Sequence, residues 1–312
     1  MSEFDLESLR TVHLVQLTAY HDDGTLNTEL QASHTQRMYA AGIRCFLPAA
    51  GTSEFHSLSA DEVVEVVRVT VEAAGPAAII FAPVGLQVGH AIEIAKRSLD
   101  AGATGTMFMP FGHPYMSDVG AKDYYETLIK AAPCPTLIYK NEPLPSNALL
   151  LEMAKNPNVV GVKYAWNQMH EFRTTVAADT EDVEWLCGSA ERFSPYYMLA
   201  GSHGYTTGAG NICPYLTLAK HAAFTAGEYE EGMRYQAQIL PIEDYRQRDG
   251  DSYNISMLKH AMTAFGEDWG DPRAPQRKLT DEEKLEIDEL VKPILAAEEA
   301  IASELVESGL AP

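Results

Sequence analysis

A lysine that closes a short apolar run is the first candidate for chemistry. The run is NVVGVK, residues 158–163. Side chains alternate along a strand, so Val159, Gly161 and Lys163 share one face. If that face lines a closed barrel, Gly161 leaves room beneath the lysine and the ammonium is desolvated. Its pKa then falls from the ordinary ~10.4, and the amine becomes a nucleophile able to form an imine with a ketone. The competing reading is a lysine that points to solvent. Tyr139 ends the run PTLIY, 135–139, and stands level with Lys163 if the two runs are neighbouring strands. A phenol beside an amine relays protons while an imine forms and breaks. Alone, it reads equally as a packed ring with a wet hydroxyl. The turn AGTSEF, 50–55, is the third candidate. Gly51 permits tight backbone, so the amides near Thr52 and Ser53 can converge on a carboxylate. An ordinary strand-to-helix turn is the alternative. His113, in PFGH, is a candidate substrate contact or a plain loop residue.

These residues need strands that end at one face. The chain supplies an alternation of short apolar runs and amphipathic segments. The strand candidates are 12–18, 43–49, 77–83, 104–110, 135–139, 158–163, 183–188 and 203–208. Helical patterns lie between them, clearest at 59–75, 90–103, 121–133 and 146–158. Ser59 with Glu62 three residues on reads as a capping box. Strands alternating with helices imply parallel strands joined by crossovers, and eight such units close into a (β/α)8 barrel. An open doubly wound sheet would carry a glycine fingerprint after its first strand, and LTAYHDDGTLN has none. The glycine-rich GYTTGAGN, 204–211, is not GxGxxG and comes late. We therefore expect an α/β fold: a barrel over 1–227 and a helical extension over 228–312 packed on its flank. In a (β/α)8 barrel the chemistry sits where strands end, which is where Tyr139, Lys163 and the AGTSEF turn fall.

Composition sets the outer bounds. Apolar residues make up 46% of 312, enough for a folded core rather than a disordered chain. Acidic residues outnumber basic ones 44 to 23, giving a net charge of -21. A surface that acidic repels nucleic acid and anionic membranes. The N-terminus MSEFDLESLR lacks a basic region followed by an apolar run, so it does not read as a secretory signal. The cysteines, Cys45, Cys134, Cys187 and Cys213, are far apart and read as buried free thiols of a cytoplasmic protein. The ten histidines show no HExxH or other paired spacing, so no metal site is expected. Met107 and Met109 read as core.

The motifs together resemble the dihydrodipicolinate synthase / N-acetylneuraminate lyase family, whose members are Schiff-base (β/α)8 enzymes. Ala50-Gly51-Thr52-Ser53-Glu54 with Leu58 is similar to the family's GTTGE-type turn. Leu137-Ile138-Tyr139 matches its strand-five tyrosine motif, and Gly161-Val162-Lys163 its GxK motif. Gly188 in CGSAE looks like the glycine after strand seven. Gly201 to Thr207 with Asn211 resembles the late glycine-rich motif. The resemblance covers nearly the whole chain. It implies a lyase with Lys163 forming a Schiff base and Tyr139 moving protons, and no metal or organic cofactor. It also implies a 2-keto acid such as pyruvate as small-molecule partner, and a homo-oligomer, dimer or tetramer. Gly51, Thr52 and Ser53 would bind the substrate carboxylate, with Gly188, Ser189 and Thr206 shaping the channel and His113 near the substrate.

The departures narrow the reaction. In the family the turn offers two consecutive hydroxyls; here Gly51 stands at the first and Thr52 at the second. The synthase uses that first hydroxyl in a proton relay with a second tyrosine after strand four, where this chain has Pro110-Phe111-Gly112-His113. No arginine follows Tyr139 in Lys140-Asn141-Glu142-Pro143-Leu144-Pro145. The turn is closest to that of 5-dehydro-4-deoxyglucarate dehydratase. We expect dehydration or cleavage of a 2-keto-3-deoxy sugar acid, with pyruvate-dependent aldol or synthase-type condensation as alternative and a silent keto-acid binder as the second.

Overall fold

The computed structural model describes residues 4–110 and 112–307. Eight parallel strands close into a barrel in chain order, each paired with the next and β8 with β1. They are β1 Val12–Leu14, β2 Cys45–Phe46, β3 Ile79–Val84, β4 Gly105–Phe108, β5 Thr136–Lys140, β6 Val159–Tyr164, β7 Glu184–Cys187 and β8 Tyr205–Thr207. Around them run α1 Thr28–Ala40, α2 Ala60–Ala73, α3 Val88–Asp100, α4 Asp118–Ala131, α5 Asn147–Ala154, α6 Met169–Ala178, α7 Ala190–Leu199 and α8 Pro214–Ala226. The (β/α)8 expectation holds.

Local sequence explains most of these helices. Ser59 accepts from the Glu62 amide while Glu62 returns to the Ser59 amide, and α2 then buries Val63, Val66, Val67 and Thr70 on one face. Asn27, Ser117 and Ser146 cap α1, α4 and α5 by the side-chain acceptor alone, taking the amides of Leu30, Gly120 and Leu149. Met107 and Met109 are buried, as are all four cysteines, which are free thiols.

Past α8 the chain is helical. Helix α9, Tyr229–Arg246, is followed by a kink at Asp249 and Gly250, a short helix Ser256–Ala261 and a long helix Asp281–Glu307. Leu216, Ile239, Ile242, Met257, Leu258, Trp269, Ile287 and Val291 form a second apolar core against the barrel's flank. Glu298 pins the long helix to the barrel, since its carboxylate accepts from the Tyr215 and Leu216 amides at the start of α8, both at 2.8 Å. A carboxylate there satisfies orphan helix donors and meets the positive end of the dipole. No described helix is long and apolar enough to cross a membrane.

Candidate active site

The register of β5 on β6 places Tyr139 directly opposite Lys163. Both point into the barrel. Lys163 is only 4% exposed, and its Nζ lies 4.1 Å from the centroid of the Tyr139 ring. Burial pushes the lysine pKa down to about 7, although Cys187 nearby works weakly the other way. The ring face also favours the charged amine. Burial raises the Tyr139 phenol to about 12, so it remains a proton donor at neutral pH. Cys187 is held up at about 12 by burial and stays a thiol.

The glycines serve different neighbours than their spacing suggests. A Cβ on Gly161 would lie 2.6 Å from the Glu184 carbonyl oxygen and 3.0 Å from a Leu137 methyl. Gly161 is therefore needed for the approach of β7 and β5. The lysine's own room comes from Gly188, where a Cβ would stand 2.9 Å from Lys163 Cγ.

A cavity of about 650 Å³ opens above these residues at the C-terminal ends of the strands. Lys163, Tyr139, Gly51, Thr52, Gly188, Ser189 and Thr206 all line it. Ser189 Oγ donates to Asn167 Oδ1 at 2.6 Å, and Thr206 Oγ1 to the Cys187 carbonyl at 3.4 Å. Ala190, beside Ser189, holds a left-handed backbone with φ 57°, which non-glycine residues rarely adopt. A larger cavity of about 780 Å³ lies beside Tyr20, Lys259 and Arg273 and contains none of the strand-end residues.

Two expected residues do not reach the cavity. Ser53 is fully buried, and its hydroxyl donates to the Gln16 carbonyl. Its amide is engaged too, donating to Ala50 O at 3.1 Å. The expected pair of amides is thus reduced to that of Thr52, which has no partner among the described residues. His113 is exposed; its Nδ1 accepts from the Tyr115 amide at 3.2 Å, and it does not line the cavity. Phe111, at the strand-four relay position, lies outside the described residues. Lys140 is buried away from the cavity, where its ammonium donates to the carbonyls of Glu142, Pro143 and Pro145, each at 2.7 Å. It staples the loop after β5.

The turn glutamate anchors the C-terminal segment. Glu54 Oε1 lies 2.8 Å from the Lys259 ammonium, in a fully buried ion pair without good hydrogen-bond alignment. Its Oε2 accepts from the Arg273 amide at 2.8 Å. Sequence reasoning also missed Arg246 and Glu243, which line the cavity from α9, and Asn254, which lines it from the turn before the short helix. The one signal was a pair of arginines in an acidic stretch, IEDYRQRD.

Among the described residues, no group of three or more His, Cys, Asp or Glu side chains could hold a metal. What the cavity offers is an amine of lowered pKa, a neutral phenol against it, a free amide across from them and an arginine. That set suits imine chemistry on an anionic carbonyl compound.

Comparison with known proteins gives the family and the fold of the chain. The model of the dihydrodipicolinate synthetase family matches residues 8–294. A protein of Streptomyces avermitilis named probable 5-dehydro-4-deoxyglucarate dehydratase 1 is 27% identical over 290 residues, covering 88% of this chain and 90% of the relative. A 4-hydroxy-tetrahydrodipicolinate synthase of Haloarcula marismortui is 27% identical, over 85% of this chain and 87% of its own. The crystal structure of dihydrodipicolinate synthase from Bacillus clausii superposes with a TM-score of 0.88 at 31% identity, covering 92% of this chain and 98% of that one. With that match running across nearly its whole length, the chain belongs to the dihydrodipicolinate synthetase family of lyases.

Proposed function

We propose that the protein forms a Schiff base between Lys163 and a 2-keto acid, and that it dehydrates or cleaves a 2-keto-3-deoxy sugar acid. The observation that carries this is the Lys163–Tyr139 pair: an amine poised near neutrality against a protonated phenol at the floor of a cavity. The neutral amine adds to the ketone, and Tyr139 donates the proton that lets water leave. The iminium then withdraws electrons, so a C3 proton is lost easily. Loss of the C4 hydroxyl as water then completes dehydration. In cleavage the C3 proton stays, the C4 hydroxyl gives up its proton to become a carbonyl, and the C3–C4 electron pair passes into the iminium as an enamine that is reprotonated at C3. Hydrolysis of the imine returns the amine. The steps call on no metal or organic cofactor.

The dehydratase side is favoured by the Gly51-Thr52-Ser53-Glu54-Phe55 turn and by relatives named for that activity. Against synthase-type condensation stand Gly51 at the relay position and the lack of an arginine after Tyr139. Neither His113 nor Lys140 lines the cavity to replace them. The deciding experiment is a parallel assay of purified protein for water loss from a 4-deoxy-5-keto sugar acid, for pyruvate release, and for condensation of pyruvate with aspartate semialdehyde. Water loss or pyruvate release well above condensation is expected. Condensation at an ordinary enzyme's efficiency overturns the dehydratase reading. No turnover together with no covalent adduct leaves a silent keto-acid binder.

A further inference from the structure

We infer that Arg246, from the C-terminal end of α9, holds the substrate carboxylate next to the reacting ketone, together with the Thr52 amide. The inference rests on the Schiff-base reading of Lys163 and adds a binding residue that neither the strand ends nor the turn supplies.

Arg246 is 3% exposed and lines the same cavity as Lys163. Its guanidinium is partly engaged. Nε donates to the Asn254 carbonyl at 3.2 Å, Nη2 to Asn254 Oδ1 at 2.8 Å, and Nη1 to Glu243. A guanidinium has five N–H donors, so two remain without a partner. Buried donors left unpaired are costly, and a planar fork of them matches a carboxylate. Gly208 supports the placement, because a Cβ there would come within 2.8 Å of the guanidinium carbon.

The link to Thr52 selects which carboxylate. Thr52 Oγ1 lies 3.4 Å from Asn254 Oδ1, the oxygen that also accepts from Arg246. Two donors that share one acceptor atom are close enough for one carboxylate to span. Thr52 keeps its N–H free, and nothing lies within 4 Å of where a Gly51 Cβ would be. The turn thus presents open space and one amide where a two-hydroxyl turn would fill it, and Arg246 lines the same cavity. The charges permit an anion: Lys163, Arg246 and Arg277 line the cavity against Glu243 and Asp251. Glu243 takes only one Nη1 hydrogen. Asn254, Glu243 and Gly208 are the groups packed on the guanidinium.

The test is borohydride trapping on the full chain, read by intact mass. Pyruvate carries a single carboxylate beside its ketone; propanal is a carbonyl compound with none. Wild-type protein is expected to reach half-saturation at far lower pyruvate than propanal. Propionate, which has the carboxylate without the ketone, should compete with pyruvate. Arg246→Gln should raise the pyruvate half-saturation about 10–100-fold, the loss expected for a charge-assisted pair, and shrink the pyruvate-to-propanal preference. Arg246→Lys should restore only part of it. The double variant Glu243→Gln/Arg246→Gln, which also removes the carboxylate that Arg246 Nη1 pairs with, should behave as Arg246→Gln does. An unchanged pyruvate half-saturation in a folded variant overturns the inference. So does an effect seen with 2-oxoglutarate but not with pyruvate, which assigns the arginine to the far end. Should the variants not fold, the wild type decides, since equal half-saturation by pyruvate and propanal overturns the assignment. Failure of wild type to form any adduct is a different result and overturns the imine reading of Lys163.

Discussion

The Lys163 amine meets the face of the Tyr139 ring, 4.1 Å from its centroid, and no hydrogen bond joins it to the phenol oxygen. The two functions are therefore separated in space. The ring packs beside the amine, and the hydroxyl is left free to follow a bound substrate. The barrel enforces this because the two residues are register partners on neighbouring strands.

Removing only the hydroxyl should separate these roles. Tyr139→Phe keeps the ring and the packing, so we expect thermal unfolding unchanged within a few degrees. Turnover should fall about 100–10,000-fold, the usual share of a general acid–base group. Steady-state kinetics beside a melting curve checks this. Activity within threefold of wild type makes the tyrosine a packing residue only.

Gly188→Ala is expected to damage the site without unfolding the barrel. Its Cβ would press to 2.9 Å on Lys163 Cγ, so the lysine stem has to move. A misplacement of about 1 Å can cost on the order of 100-fold in rate. Trapping of the keto acid by borohydride should slow in step with turnover. An alanine variant of wild-type rate shows that the stem has slack.

Glu54→Gln tests the buried pair with Lys259. Removing one partner leaves an ammonium that is 2% exposed without its paired carboxylate. Breaking such a pair typically costs about 3–5 kcal/mol, while replacing both partners by apolar groups is often neutral. Urea unfolding should show the loss for Glu54→Gln and substantial recovery for Glu54→Leu/Lys259→Met. A single variant as stable as wild type means the turn does not depend on this anchor.

The lowered pKa of Lys163 has two consequences for pH. Activity should rise as pH passes through about 7, as the amine loses its proton, and level off above. Stability moves with the same group. In the folded protein the lysine titrates near 7, and in the unfolded chain near 10.5. Between these values the unfolded state holds the extra proton, so wild-type stability declines as pH falls from 10.5 towards 7 and this contribution is flat below. Lys163→Met should therefore be more stable than wild type at pH 7, by something on the order of 4 kcal/mol, with the gap closing towards pH 10.5. Melting curves across that range check it. A gap that does not vary with pH means the lysine is charged in the folded state.

Much of the barrel was legible because its signal is local. All eight strand runs were found, and β5 and β6 within a residue, which fixed Tyr139 and Lys163 at one level. The first two strands were read too long. The ladder on β8 ends at Val15, whose amide donates to the Thr207 carbonyl at 2.9 Å; beyond it side chains take the amides, Leu17 N donating to Asn211 Oδ1 and Ala19 N to Gln31 Oε1. Alternation cannot tell such backbone from a strand. Helix α1 escaped notice because its buried face is Gln31, His34, Thr35 and Met38, largely polar. The same limit hid Arg246. It reaches the cavity from a helix far along the chain, and no periodicity connects it to the strand ends. Ser53 failed for the opposite reason: a hydroxyl in a turn reads as a binding group, and only the fold reveals that it faces the Gln16 carbonyl.

The most direct measurement is the site of covalent trapping. Purified protein is treated with pyruvate and borohydride, digested, and the peptides are weighed. We predict one modified peptide carrying the reduced pyruvate adduct on Lys163, abolished in Lys163→Ala and in Lys163→Arg, whose guanidinium stays protonated and cannot attack. An adduct on another lysine, or none with pyruvate and several larger keto acids, contradicts the account.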